Sequence, residues 1–381
     1  MKRIVLLLLV FGASLTAAFS QIADDLTPAP EHSKVRTFAN KLVNYLEERE
    51  LSGVDTNYVG APKYKWAVFA NTYLSQLDFD LRSNGDANKV DYVEGIGKVT
   101  VDMRSKVETQ VSLGLYFMGY GLSYSQDLNK GYKKNLSFTM YSSPVGGEFR
   151  YHTTDRIHGK LAAKELGFNF DIMEGEAKMS NFIINAYYVF NPKKFSYASA
   201  MSYSKIQKKS AGSFLGGVTY NQTRLTAYDP VLRGMMGGIN RIFLRQFSFG
   251  VGYAYNWVPA KGWLVSGMVM PMLTFYNRMN SYTYDILTQD GRDLFQLSDE
   301  ELEHLYEDEE AYRSVVVKES GVNSTRNKVG WNFDARLSVV YNWKRTYLRV
   351  YGHYNRFRYD NDESAGRLTE WHVYASLGYR F

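Results

Sequence analysis

The chain ends in the sequence WHVYASLGYRF, residues 371–381. Every second side chain, from Trp371 to the terminal Phe381, is apolar or aromatic, and the side chains between them are His, Tyr, Ser, Gly and Arg. Because successive side chains of a strand point to opposite faces, this alternation predicts a strand with one apolar and one polar face.

The same period of two recurs upstream, most clearly in QFSFGVGYAYNW at 246–257. A soluble β-sandwich also alternates, but its apolar face is mostly aliphatic. Here the aromatic residues cluster toward the strand ends, as in strands that cross lipid between two aromatic girdles. The residues that we place at the membrane interfaces are Tyr253, Tyr255, Trp257, Trp331, Tyr341, Trp371, Tyr379 and Phe381.

Composition excludes several other classes of protein. The 381 residues include 31 Tyr, 22 Phe and 6 Trp but no Cys, which rules out a disulfide scaffold, a Cys-ligated zinc site and a Cys nucleophile. A polytopic helical membrane protein needs repeated apolar runs of about 20 residues, and only the N-terminus approaches one. The net charge of +6 is modest and no recognition motif appears, so we expect no nucleic-acid partner.

The N-terminus predicts export. Residues 1–3 are a short basic head, residues 4–10 are apolar, and Ala18-Phe19-Ser20 before Gln21 fits a small-x-small cleavage site. We therefore predict a signal peptide over 1–20, cleaved near Ser20/Gln21. The alternative, a membrane anchor, has an apolar core that is short for a span.

Residues 21–62 are predicted to be a periplasmic linker with one amphipathic helix at 33–50. The helix is expected to dock on the domain or at the barrel mouth, where it is also our candidate plug, rather than to lie on the membrane surface.

Residues 63–381 are predicted to form the barrel. Eleven candidate strands are visible, and a bacterial single-chain barrel normally has an even number. A further strand could come from 157–172, from a split of 107–126 at Met118-Gly119, or from a split of 133–153 at Ser143-Pro144. We predict an all-β fold, a transmembrane antiparallel β-barrel of about 12 strands (range 10–14), with the short N-terminal helix. The candidates are 64–82, 107–126, 133–153, 181–190, 195–205, 211–226, 245–257, 262–278, 328–342, 345–359 and 369–381.

An amphipathic last strand that closes on an aromatic residue resembles the assembly signal of bacterial outer-membrane barrels. We therefore expect the chain in the cell outer membrane, with Phe381 contacting the assembly machinery and with lipid and lipopolysaccharide as neighbours. Running the last strand toward the periplasm makes the turns at 258–262 and 342–345 periplasmic. The extracellular segments are then 227–244, 279–327 and 360–368.

The long segment 279–327 is acidic. From Asp285 to Glu310 it carries eleven acids and one base, Arg292. A divalent-cation or lipopolysaccharide-cation contact is one interpretation. A solvated helix that starts after Ser298 is the other, and we favour it because the spacing is not that of a calcium loop.

The inward faces carry charge. Lumen arginines could attract an anionic solute, or they could form an internal salt-bridge network in a barrel filled by side chains, which we favour. His353 and His372, on adjacent strands, could alternatively supply a general base. No G-x-S-x-G or H-E-x-x-H pattern accompanies them. The candidate lumen network is Asp334, Arg336, Arg349, His353, His372 and Arg380.

Two motifs carry a family resemblance. They are Asp55-Thr56-Asn57-Tyr58-Val59-Gly60 with Trp66, and the central pair 191–197 and 207–213. Together they resemble a family of Bacteroidota outer-membrane proteins that is catalogued only as a domain of unknown function. The resemblance covers roughly residues 50–381. It implies an outer-membrane location and assigns no site.

These observations predict a non-enzymatic outer-membrane barrel, either a narrow pore or a structural, surface-exposed barrel. We expect no catalytic residue, no metal and no cofactor. Two alternatives remain: a barrel-embedded hydrolase or acyltransferase that uses His353 and His372, and an interaction barrel that binds a partner through 279–327.

Overall fold

The fold is known from a computed structural model. The predicted signal peptide, its cleavage site and the helix at 33–50 lie outside the part of the chain that this structure describes. The described residues are 53–83, 99–127, 135–142, 144–163, 167–229, 232, 233, 236, 239–288, 290–292, 297–308, 315–362 and 364–381.

Strands dominate the described chain, and two short helices accompany them. Neither helix is long and apolar enough to cross a membrane, nor is any other in the described residues. The strands are β1 (Val59–Gly60), β2 (Trp66–Ser83), β3 (Val99–Ser105), β4 (Glu108–Phe117), β5 (Tyr120–Asp127), β6 (Asn135–Tyr141), β7 (Val145–Thr154), β8 (Ile157–Ala163), β9 (Phe168–Ile172), β10 (Ala177–Val189), β11 (Ile206–Gln207), β12 (Ala211–Ala227), β13 (Ile239–Trp257), β14 (Trp263–Leu287), β15 (Val316–Arg326), β16 (Gly330–Trp343), β17 (Thr346–Asp360) and β18 (Ser364–Arg380). The helices are α1 (Tyr197–Met201) and α2 (Asp299–Glu307).

Twelve strands close into an antiparallel barrel, which confirms the predicted fold class. Wall strands that follow one another along the chain pair with each other, and β1, β3, β8, β9, β11 and β15 stand outside the ring. The ring closes where β18 pairs with β2, over the register Ser364↔Ser83 to Arg380↔Ala67. Short turns join antiparallel neighbours at one end of the barrel. In ring order the wall strands are β2, β4, β5, β6, β7, β10, β12, β13, β14, β16, β17 and β18.

Both proposed splits supply strands. Met118 and Gly119 form the β4–β5 turn with φ of 47° and 97°, a left-handed conformation that glycine adopts without strain. The second split, near Pro144, separates β6 from β7.

The prediction of a strand at 195–205 is wrong. This segment folds into the lumen at the turn end, forms α1, and is buried on all sides, including Phe195, Tyr197, Met201 and Tyr203. Its side chains alternate in sequence, but packing inside the barrel leaves the segment no lipid-facing side. Below, the name plug refers only to residues 195–205 and not to the predicted helix at 33–50.

At the other end, four strands extend the wall. Segment 157–172 forms β8 and β9, which do not enter the ring of twelve: β8 pairs with β3, β3 pairs with the upper part of β2, and β9 pairs with β8. β15 pairs with the extension of β14 through Leu287↔Val316. The region predicted as one loop at 279–327 therefore begins and ends in a strand pair, with α2 between the two strands. The predicted loops at 227–244 and 360–368 shorten in the same way.

Candidate functional site in the barrel lumen

The strand register places one arginine and two histidines in one inward-facing row. Arg336 on β16 is the cross-strand partner of His353 on β17, which in turn is the partner of His372 on β18. All three are 3% exposed. The two imidazole centroids lie 4.9 Å apart. Directly opposite residues of paired strands are near neighbours, so the row follows from the register alone.

Arg336 is held by two carboxylates. Its Nε and Nη2 donate to Asp334 Oδ1 and Oδ2, both at 3.0 Å. Its Nη1 and Nη2 also donate to Glu148 on the far wall, at 3.1 and 2.8 Å. Asn185 Nδ2 donates to Glu148 at 2.7 Å, and the Tyr187 hydroxyl donates to Asp334 at 3.0 Å. The guanidinium is therefore paired on two edges, which fixes its plane.

Arg150 forms a second centre beside the first. Its Nη1 donates to His372 Nδ1 at 2.8 Å and to Glu370 Oε1 at 3.3 Å. Tyr73 stacks on the His372 ring at 5.2 Å between centroids. A guanidinium can only donate hydrogen bonds, so His372 Nδ1 accepts, and a neutral His372 carries its proton on Nε2.

The arrangement at His372 does not match a general base. A catalytic histidine normally has a carboxylate that orients one ring nitrogen while the other takes a proton from the nucleophile. At His372 a guanidinium occupies the orienting position, and the other nitrogen already carries the proton. His353 does have a carboxylate, with 2.9 Å between its Nε2 and Asp334 Oδ1. Within the described residues, neither imidazole hydrogen-bonds to a serine or threonine hydroxyl.

Arg349 connects the wall to the plug. Its Nη1 donates to the Met201 carbonyl at 3.1 Å and to the Tyr203 hydroxyl at 2.9 Å. On a neighbouring strand, the Ser338 hydroxyl donates to the Ala200 carbonyl at 3.2 Å. These bonds satisfy carbonyls at the C-terminal end of α1, which lack partners within the helix.

The opposite side of the plug is anchored by amide side chains. Asn256 Nδ2 donates to the Ser196 carbonyl at 2.9 Å and to Gln207 Oε1 at 3.0 Å. Gln207 also accepts from the Ser196 amide at 3.0 Å. β1 pairs with β11 directly after the plug, through Val59↔Gln207. The plug is therefore bonded to several parts of the wall and to the segment that enters the barrel.

Between the plug and the charged residues lies a cavity of about 80 Å³. One side is formed by Arg150, Glu370 and His372, and the other by the β5–β6 hairpin. The inward residues of this hairpin are small, for example Ser123 and Ser137, and their short side chains leave the space open. A cavity of this size and polarity suits a few water molecules.

Not every predicted lumen residue joins the network. Four of the predicted residues meet in the lumen: Asp334, Arg336, His353 and His372. Arg349 instead hydrogen-bonds to the plug. Arg380 lies apart at the turn end, where its Nη2 donates to Asn342 at 2.6 Å and its guanidinium lies 4.8 Å from the Tyr347 ring centroid.

The predicted interface aromatics lie on the outer face. Trp257 and Trp331 are 53% and 68% exposed. Trp371 is half-buried, and its indole N–H donates to Gln76 Oε1 on the neighbouring strand at 3.2 Å. The other exposed members of the set are Tyr253, Tyr255, Tyr341, Tyr379 and Phe381.

Sequence reasoning missed half of the network. Glu148, Arg150 and His152 alternate along β7 and all point inward, and His152 Nε2 lies 3.2 Å from Glu108 Oε2. The signal was present as three charged or ionisable residues at every second position of one predicted strand. Glu370, two residues before His372 on β18, also belongs to the network through its bond from Arg150.

One acidic group lies outside the lumen. The carboxylates of Asp78, Asp80 and Asp102, on β2 and β3, come within 4.8 Å of one another. Asp78 is paired with Arg104 at 2.9 Å, and Asp80 is paired with Arg367. These two arginines balance two of the three negative charges.

The chain belongs to the family described as "Domain of unknown function (DUF4421)", whose model matches residues 53–381. This confirms the resemblance to a family of unknown function. A comparison with curated protein sequences found no significant match.

Solved structures with a similar fold include three barrels. The outer membrane protease OmpT from Escherichia coli is 9% identical, with a TM-score of 0.39 and coverage of 84% of this chain and 97% of that one. The toluene transporter TodX from Pseudomonas putida is 8% identical, with a TM-score of 0.30 and coverage of 84% and 90%. The outer membrane protein OprG from Pseudomonas aeruginosa is 11% identical, with a TM-score of 0.27 and coverage of 84% and 98%. At these values none transfers an activity to this chain.

Proposed function

We propose that the protein is an integral outer-membrane barrel with an occluded lumen, which acts as a structural, surface-exposed barrel and not as an enzyme. The observation that carries the proposal is that the lumen is filled at two levels. The plug fills the turn end, and the Arg336 network fills the middle. A diffusion pore needs a continuous water-filled path, and these two layers interrupt it.

The outer surface supports the membrane location. Large side chains such as Leu337, Val251 and Phe214 are exposed along the wall, which is unfavourable in water and favourable against lipid chains. The short turns lie at the end that holds Phe381. Bacterial barrels keep their short turns in the periplasm, which supports our proposal that the β14–β15 end faces the cell surface.

The enzyme alternative has weaker support, because Arg150 takes the orienting position at His372. The interaction alternative retains one feature, the exposed acids of α2 such as Glu300 and Glu303. Loss of partner capture after deletion of residues 285–310, with the barrel intact, would favour it.

Fractionation, heat-modifiable gel mobility and planar-bilayer recording test the proposal together. We expect an outer-membrane protein with heat-modifiable mobility and no discrete conductance steps. Replacing residues 195–205 by a glycine–serine linker should not be enough for conduction, because the Arg336 network still blocks the lumen. Conduction is expected only when Arg336→Ala and Glu148→Ala are added and the barrel retains its heat-modifiable mobility. Discrete steps from the wild type would favour the narrow pore instead, and a soluble periplasmic product would overturn the membrane location.

A further inference from the structure

Three arginines form an unbroken row on the outer face of the barrel. In the strand register, Arg245 on β13 pairs with Arg278 on β14, and Arg278 pairs with Arg326 on β15. Alternation points all three outward; Arg278 and Arg326 are exposed and Arg245 is half-buried. Side chains directly opposite on paired strands begin about 4.5–5.5 Å apart, and like charges there repel each other.

The positive charge of these three arginines is not balanced by a carboxylate in the described part of the chain. None of the three arginines forms an ion pair with an acidic side chain in the described part of the chain, whereas Arg241, nearer the loops, pairs with Glu319 at 3.1 Å. Arg224 is a fourth cation beside the row. Its guanidinium lies 4.5 Å from the centroid of the Phe243 ring, and that of Arg245 lies 5.4 Å from the same centroid.

Another outward arginine pair shows the contrast. Arg358 on β17 is the cross-strand partner of Arg367 on β18. Arg358 pairs with Asp360 at 3.6 Å, and Arg367 pairs with Asp80. There the chain neutralises its own arginines. At β13–β15 no carboxylate of the described residues does the same for Arg245, Arg278 and Arg326.

A groove begins beside the row and runs toward the middle of the barrel wall. Its lining combines the side chain of Arg245 with aromatic rings, chiefly Phe247, Phe275 and Tyr276. Phe247 and Phe275 pack against each other at 5.0 Å between centroids and face the lipid side of the wall. The groove therefore joins a cationic end, near the loops, to an apolar end within the predicted lipid zone.

We propose that this surface binds a phosphorylated lipid of the outer leaflet. The phosphate lies on Arg245, Arg278 and Arg326, since guanidinium groups match the geometry of phosphate oxygens. An acyl chain lies in the groove over Phe247 and Phe275. The apolar groove selects a lipid over free phosphate. The inference rests on the proposed orientation, which places the β14–β15 end at the cell surface.

The test uses the full purified chain in mixed micelles and compares three probes: bisphosphorylated lipid A, its dephosphorylated form, and inorganic phosphate. The variant is Arg245→Gln/Arg278→Gln/Arg326→Gln. The control is Arg356→Gln/Arg358→Gln/Arg367→Gln, which removes the same charge from outward positions of β17 and β18. We expect the variant to lose at least about tenfold in affinity for the phosphorylated lipid, since hydrogen bonds between charged groups are strong. The control should stay near the wild type.

Equal binding of the phosphorylated and dephosphorylated lipids by the wild type would overturn the proposal, as would equal losses in variant and control. Inorganic phosphate that competes as strongly as lipid would show a free-anion site and also overturn it. If the triple variant lacks heat-modifiable mobility, the exposed single change Arg278→Gln decides, with a smaller loss in the same direction expected. An outer-membrane protein without lipid preference would contradict this inference alone, whereas a soluble product would contradict the proposed function.

Discussion

Arg336 and Glu148 form a two-point ion pair across the lumen, with 3.1 Å from Nη1 to Oε2 and 2.8 Å from Nη2 to Oε1. The residues are 188 positions apart in the chain. Around the shorter arc of the ring, the strands β10, β12, β13 and β14 separate them. The pair therefore ties nearly opposite walls of the barrel.

Replacing Arg336 should destabilise the barrel strongly. Arg336→Met leaves Glu148 and Asp334 buried without their cation, and breaking a buried pair in this way costs about 3–5 kcal/mol of unfolding free energy. Denaturant unfolding in lipid vesicles measures the change. The control Arg356→Met alters an exposed outward arginine and should stay within about 0.5 kcal/mol. Adding Glu148→Gln to Arg336→Met should recover part of the loss, and no recovery would count against the pairing.

Removing Arg349 should loosen the plug. Arg349→Met deletes the bonds to Met201 and Tyr203, and bonds from a charged donor contribute about 1.5–3 kcal/mol each. Hydrogen exchange of amides 197–203 should become faster by at least about tenfold. Arg356→Met is the control, because it removes an exposed, outward-facing arginine from the same strand, β17. Equal acceleration in both variants would show general loosening of the barrel instead.

Changing the last residue should reduce membrane assembly. Phe381→Ser keeps the bond from its amide to the Trp66 carbonyl, at 3.0 Å, but removes the terminal ring of the last strand. We expect several-fold less protein in the outer membrane. Phe190→Ser removes an exposed aromatic ring at the same end of the barrel and should leave the amount nearly unchanged. If both variants assemble equally well, the terminal ring is not an assembly signal.

Ser298 and Glu301 form a hydrogen-bonded cap at the start of α2, and this cap should remain formed in mild acid. The Ser298 amide donates to Glu301 at 3.0 Å, and with Arg292 at 2.7 Å it holds the pKa of Glu301 at about 2. Because this pKa is lower than in the unfolded chain, the cap stabilises α2 above the ordinary carboxyl pKa of about 4.3, and the effect is lost as the pH falls toward 2.

Hydrogen exchange of the first turn of α2, corrected for the intrinsic effect of pH, measures this. Protection should be retained at pH 4 in the wild type and reduced at both neutral pH and pH 4 in Glu301→Gln. Glu303→Gln, on the same exposed helix, serves as the control. A wild-type loss centred near pH 4 would contradict the lowered pKa.

Local periodicity explains which predictions succeeded. Whether a residue such as Arg336 or Trp331 faces the lumen or the lipid follows from its position in a strand, and strand alternation is a property of a few consecutive residues. The twelve wall strands are the eleven candidate segments, increased to thirteen by both splits and reduced to twelve by the loss of 195–205. The prediction failed at 195–205, where alternating side chains are buried on every side and the alternation has no lipid face to match.

By itself, the sequence determined the barrel class, the facing of each strand residue and the family. Only the tertiary structure decided which inward residues meet, that residues 195–205 turn into the lumen, and that Arg245, Arg278 and Arg326 stand side by side. The physical reason is that alternation is local, whereas these contacts depend on ring closure and on the register between strands. A shift of register by one residue would turn the side chains of Arg278 and its neighbours to the other face.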